Sequence, residues 1–329
     1  MTKRYIHIVV DNRIHALQNE LMSAPLKKWL ECGSKSLVDK TNPQSGQALV
    51  IILLVLAVAS TIAISLASRS VTDISITTKE RESARAFSAA EAGVEEALIG
   101  GSTSGTLSGG ETFSVISASS GGGTDFVWPG KVSSGEAVTL WLVSHKDDGT
   151  IGCGGSYPCY TGSTISVCWG EPGTASGDSE TPAIAAQVVY LNPAGSYAGA
   201  RIARVASDPN SSRRANNNFA DLTSSGATCG GESFAFSKNI TFSDLGIPSS
   251  VYDTENGLQA ISVRLIYNTS TPHPVAFVSD SDAFPIQGTS VTSTGTAESS
   301  SRKIEVFQTF AEFPTIFGFG VSPGGAITK

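Results

Sequence analysis

The chain has 329 residues, with 22 Lys and Arg against 29 Asp and Glu and a formal charge of −7. Only 16% of residues are charged and 34 are glycine, which suits a strand-rich, loop-rich exported domain better than a helical cytosolic enzyme. Residues 1–46 hold seven basic side chains against four acidic ones, leaving −10 on the remainder; so acidic a body argues against a general nucleic-acid-binding role, which needs clustered Lys and Arg.

Residues 1–46 have no strong apolar period and read as a basic cytoplasmic leader, with Met22 an alternative start. From Gln47 to Ala67 the chain then runs without a charge and is almost wholly apolar, the only run of that length that is both. As a helix, about 20 apolar residues cross the roughly 30 Å hydrocarbon core of a bilayer. Leu49, Ile52, Leu53, Leu56 and Ile62 are bulky residues of this span, residues 47–68. Its flanks are equally basic, Lys27, Lys28, Lys35 and Lys40 against Arg69, Lys79, Arg81 and Arg85. The positive-inside rule therefore sets no orientation.

Residues 69–100 continue the helix as an amphipathic segment. Ala84, Phe87, Ala90, Val94, Ala97 and Leu98 recur at helical spacing and form one apolar stripe. Lys79, Glu82 and Arg85 are spaced to pair across turns on the opposite face. Nothing breaks the helix before Gly100-Gly101. One helix is expected from about Gln47 to Ile99, on the order of 80 Å long. Its distal half needs a surface to lie against, and Phe87, Val94 and Leu98 are the expected packing residues.

Beyond Ser102 the signals are those of strands, β-branched and aromatic runs bounded by Gly, Pro, Asn, Asp or Ser. Candidates are Thr112–Ser117, Ala137–Ser144, Thr164–Trp169, Ala183–Leu191, Arg201–Ala206, Leu258–Tyr267, Pro274–Val278 and Lys303–Phe310. Residues 101–329 thus read as a β-rich globular domain, and the chain as α+β. Cys153, Cys159, Cys168 and Cys229 all follow the span, while Cys32 precedes it. An even set on one side suggests disulfides in an oxidising compartment, with three pairings open. Cys153–Cys159, closing a tight turn, and Cys168–Cys229, tying a strand to a distant loop, are favoured. Zinc is the rival ligand, but no CxxC spacing and no neighbouring histidine supports it.

Gly46, the hydrophobic run from Gln47, and the segment Arg85-Ala86-Phe87-Ser88-Ala89-Ala90-Glu91-Ala92-Gly93-Val94-Glu95 together resemble the amino-terminal region of type IV pilin-like proteins. Within that superfamily they are most similar to PilX-type minor pilins and pilus assembly components, over about Ser45–Leu98. The resemblance implies a pilin-like fold, one long helix packed on a β-rich head. It implies a prepilin, cut after Gly46 by a membrane-embedded prepilin peptidase and methylated on Gln47. Further partners so implied are other pilin-like subunits, the inner-membrane assembly machinery, and membrane lipid before assembly. The fifth position after the cut is Ile51, where most major pilins carry glutamate; this implies a minor, tip or priming subunit. Gln47 also stands where phenylalanine is usual, and the leader is longer than most.

Chemistry is sparse. His7, His15, His145 and His273 are scattered, and there is no P-loop, HExxH or nucleophile elbow. Asp147-Asp148-Gly149 and Asp280-Ser281-Asp282 offer carboxylates for calcium, but lack EF-hand spacing and read as turns. Arg213-Arg214 beside three asparagines is a solvated loop or a weak contact for DNA. Trp128, Trp141 and Trp169 read as core; Phe307, Phe310, Phe313, Phe317 and Phe319 read as core closure or a partner-binding edge. No cofactor, metal or enzymatic activity is expected. The function expected is a minor pilin or pseudopilin-like component of a pilus or secretion filament. The alternative is a membrane-anchored surface adhesin outside any filament.

Overall fold

The structure, a computed structural model, describes residues 4–7 and 46–311. The leader from residue 8 to 45, with Met22, Cys32 and His15, lies outside the described residues, as do Phe313, Phe317 and Phe319. Strand β1 is Arg4–His7 and helix α1 is Gly46–Leu98, 53 residues without interruption. Neither glycine nor proline occurs from Gln47 to Ala92, so no position weakens the helix along its apolar half. Hydroxyls in that half fold back on the helix itself: Ser60 Oγ donates to the Leu56 carbonyl at 2.7 Å and Thr61 Oγ1 to that of Val58 at 2.8 Å. They are thereby satisfied without water. At the far end Gly100 takes φ +74°, its N–H reaches the Ala97 carbonyl, and the Gly101 N–H reaches that of Glu96. This is a Schellman stop, which needs a residue at ease with positive φ.

The strands that follow are β2 (Ser104–Thr106), β3 (Thr112–Gly121), β4 (Asp125–Val132), β5 (Ala137–Trp141), β6 (Thr164–Trp169), β7 (Ala183–Leu191) and β8 (Ala200–Ser207). Helix α2 (Ser211–Asn217) leads to β9 (Ser224–Cys229) and β10 (Glu232–Thr241). Helix α3 (Ser249–Tyr252) precedes β11 (Leu258–Ile266), β12 (His273–Ser279), β13 (Ile286–Ala297) and β14 (Ser300–Thr309). All eight expected strands are present, β6 and β7 at their expected limits and the others lengthened or shortened by a few residues at their ends. Six others, β1, β2, β4, β9, β10 and β13, have no counterpart among the expected ones. The class is α+β, with antiparallel sheets in the orders β1-β14-β13-β3-β2, β4-β12-β6-β10-β9 and β5-β11-β7-β8.

The described residues divide into two compact units. One comprises 4–7, 116–292 and 305–311; the other comprises 46–115 and 293–304. In the first, the sheets β4-β12-β6-β10-β9 and β5-β11-β7-β8 share one apolar core. Trp128, Val167, Trp169 and Phe277 come from the former and Leu140, Val188, Ile261 and Val263 from the latter. Alternation puts every second residue of each strand into that core, as two facing sheets require. Phe307 of β14 belongs to the same core, edge-on to Trp128 with ring centroids 6.1 Å apart. β1 pairs antiparallel with the end of β14, from Arg4 opposite Gln308 to His7 opposite Glu305.

Candidate functional site: an apolar helix and its seat

Two stretches of α1 differ in surroundings. The apolar window is wholly exposed, and Leu49, Ile52, Leu53, Leu56 and Ile62 each keep more than half their surface open. Val71, Ile74 and Ile76 extend the exposed apolar surface beyond the span. A helix apolar on every side and uncovered along its length is one to be covered by lipid or by other helices. By length and composition α1 can cross a membrane once. Gly46 opens the helix; the side chain of Gln47 is outside the description.

Within its own unit the distal end of α1 is seated on strands. Ala86, Ala89 and Ala90 are fully buried, and Gly93 and Val94 join them on one face. Opposite stand Phe113 and Val115 of β3 and Ser293 and Gly295 of β13. The approach is backbone to backbone. A methyl group added at Gly295 would fall inside the van der Waals envelope of the Ala86 carbonyl oxygen and the Ala90 nitrogen; one at Gly93 would stand 2.9 Å from the Phe113 ring. The contact is therefore centred on small residues together with the expected Val94, rather than on the expected Phe87 and Leu98. Val94 is buried, while Phe87 and Leu98 are half-buried at the flanks.

Polar bonds frame this seat. Arg85 bonds to the Glu111 carboxylate and to the Gly109 carbonyl oxygen. Its guanidinium holds the Glu111 carboxyl below the usual carboxylate range. Ser299 Oγ donates to Glu82 at 2.8 Å, and Arg302 Nη2 donates to Ser83 Oγ at 2.6 Å. Glu82 and Arg85 were expected to pair with each other on the face away from the strands. They turn instead toward the hairpins after β2 and β13, Arg85 to the Glu111 carboxylate and the Gly109 carbonyl and Glu82 to the hydroxyls of Ser299 and Ser300.

The remaining candidates fall inside the first unit. Disulfides Cys153–Cys159 and Cys168–Cys229 are both formed. Closing 61 residues, the second removes about 4 kcal/mol of unfolded-chain entropy on the loop-closure model. Asp148 and Gly149 make a tight turn, with Asp148 Oδ1 accepting from Thr150. Asp280 and Asp282 accept from Tyr160, Ser163 and Thr161, which fixes the loop before β6. Among the described residues no group of three or more His, Cys, Asp or Glu is placed to hold a metal ion. Trp128, Trp141 and Trp169 are buried.

Arg213 and Arg214 are neither solvated nor displayed. Arg213 makes a two-pronged bond to Asp208, donates to the carbonyls of Ser179 and Thr181, and stacks 4.2 Å from the centre of the Tyr267 ring. Burial opposes ionisation of Asp208, but bonds from Arg213, the Asn210 amide and Asn217 outweigh it and lower its pKa. Arg214 reaches Asp221. Arg213 staples α2 to the loop before β7 and Arg214 ties it to the segments on either side, at Asp208, Pro209 and Asp221, so both guanidinium groups are engaged within the molecule.

His145 is held between Trp141, edge-on at 4.4 Å, and Phe310, stacked at 3.9 Å, and its Nδ1 has no hydrogen-bond partner among the described residues. Burial pushes its pKa down to about 4. Below pH 6.5 the unfolded chain takes up a proton that the folded one refuses, so stability is complete above 6.5 and declines to pH 4. After allowance for its half exposure the loss is about 2 kcal/mol. Thermal melts of His145→Phe, which keeps the stack and cannot titrate, are expected to fall less than wild type between pH 7 and pH 4. Equal falls would remove His145 from the account.

No protein-family model, no curated protein and no solved structure matches this chain.

Proposed function

We propose that the chain is a minor pilin or pseudopilin-like subunit of a type IV pilus or related secretion filament, exported as a pilin-like fold with the strands outside. One observation carries the proposal: a single unbroken helix is apolar and uncovered through its first half and clamped to strands by its last turns. Such a helix has two possible covers, lipid before assembly and neighbouring copies of similar helices afterwards. Two disulfides support an oxidising, exported location for the strands. The absence of an acid at Ile51 supports a minor rather than a repeating role. Prepilin peptidase is the partner that would free the helix at Gly46–Gln47.

The pairing of β1 with β14 constrains this reading. In a chain inserted through α1, residues before the span and the strands after it lie on opposite sides of the bilayer. The inserted state therefore excludes the β1–β14 pair, and release of residues 1–46 leaves the edge of β14 open. The proposal is tested by shearing filaments from cells with and without active prepilin peptidase. The chain is expected in the sheared fraction only when the peptidase is active. Its retention in the membrane in both cases would favour a permanently anchored adhesin.

A further inference from the structure

Sheet β5-β11-β7-β8 has a second face, turned away from the core, on which eight positions form a grid. One row reads Arg204, Gln187, Ser262, Thr139 across the four strands; the next reads Ala206, Ala185, Arg264, Ala137. Arg264 thus stands on an inner strand with alanine beside it on both neighbours, and Arg204 stands diagonally across, two strands and two residues away. Strand spacing and rise put their Cα atoms about 12 Å apart, within the combined reach of two arginine side chains. The alanines leave a depression of about 270 Å³ between them. Ser262, only 7% exposed, lines it together with Gln187, and Phe219 forms a wall. That wall is fixed: Ala220 is bonded to both Ala206 and Asp208, and Asn217 Oδ1 accepts from the Phe219 amide at 2.9 Å.

We infer that this cradle binds a small oxyanion, a carboxylate, phosphate or sulfate carried on a compact body, between Arg204 and Arg264. Arg204 has no hydrogen bond or ion pair among the described residues, while Arg264 is already engaged within the molecule. Guanidinium forks match oxyanions in two-pronged geometry, and Gln187 and Ser262 add neutral donors below them. Arginine on an edge strand such as β8 can serve to discourage unwanted strand pairing. Edge protection does not apply to inner strand β11, where Arg264, engaged within the molecule, lines the same depression between two alanines. The Phe219 ring and the alanine floor supply an apolar surface for the body of the ligand. Whether α1 enters a filament does not bear on this cradle.

The test is a titration of the full chain in detergent micelles, followed by ligand-detected NMR, with D-glucuronate as probe and D-glucose as its uncharged control. Glucuronate is expected to bind with a Kd of about 1 mM or tighter and glucose not at all. Arg204→Glu is expected to weaken binding at least about tenfold by reversing the exposed charge. Ala185→Leu keeps both arginines but fills the floor, and is expected to weaken binding as much. Inorganic phosphate and sulfate identify the source: competition by either shows that the oxyanion itself suffices, and its absence shows that the sugar ring is needed. No binding of any of the three anions below about 10 mM would overturn the inference. So would glucuronate binding that is equal in wild type and both variants.

Discussion

Gly295→Ala is expected to unseat the distal end of α1, although it adds a single methyl group. That methyl would collide with the Ala86 carbonyl oxygen and the Ala90 nitrogen, backbone atoms of a helix that cannot rotate away as a side chain would. Relief requires the helix and β13 to separate along the whole small-residue face, at a cost of about 2–3 kcal/mol. Arg85 then loses its fixed partners at Glu111 and Gly109. Tryptic cleavage after Arg85 is expected to quicken by at least about tenfold, as a cost of that size implies when opening and reclosing are fast relative to cutting. Two companions distinguish this seat from an aromatic stripe. Val94→Asp, which buries an unpaired carboxylate, is expected to cost about 3 kcal/mol. Phe87→Ala, at a half-buried flank, is expected to cost about 1 kcal/mol. Unchanged cleavage in Gly295→Ala, or a larger effect at Phe87, would show that the helix is held elsewhere.

Leu56→Arg is expected to have the larger consequence in the other half of the helix. Leu56 lies near the middle of the apolar run and is more than half exposed, so nothing within the described protein would shield the new charge. At the centre of a membrane span arginine costs about 3 kcal/mol, and between helices packed without water it finds no partner. The fraction of chain that resists alkaline extraction from membranes is expected to fall steeply, with Leu56→Ile unchanged. Equal extraction of the two variants would mean that this surface faces water.

What the sequence made legible follows the strength of local signals. Helix α1 was readable end to end, because apolar residues run without a breaker to a paired-glycine stop. Strands β6 and β7 match their expected limits, since Thr164–Trp169 and Ala183–Leu191 are rich in β-branched residues and end in turn formers. β13 escaped notice because Ile286–Ala297 is mostly Ser, Thr and Gly; its strand state is set by the neighbours it pairs with. Gly295 is there for close approach to α1, a requirement that no periodicity announces. Likewise β4 carries Pro129-Gly130, and β9 carries Gly226 at φ +75°, both of which read locally as turns.

The seat itself was half visible. Helical spacing marks Ala90 and Val94, which are buried, but also Ala84, which is exposed, and it passes over Ala86 and Ala89; alanine and glycine permit the tight approach, and Phe87 and Leu98 flank it. For Arg213 the obstacle was distance along the chain. Its partners at Ser179, Thr181 and Tyr267 are too far away in sequence for a local reading to collect.

The central claim is that α1 works as a released helix, apolar through its first half and anchored to strands at its last turns. Intact mass and amino-terminal sequencing of the chain purified from cells measure that directly. The expected product begins at methylated Gln47 and lacks residues 1–46. A mature chain that still begins at Met1 or Met22 would contradict the account.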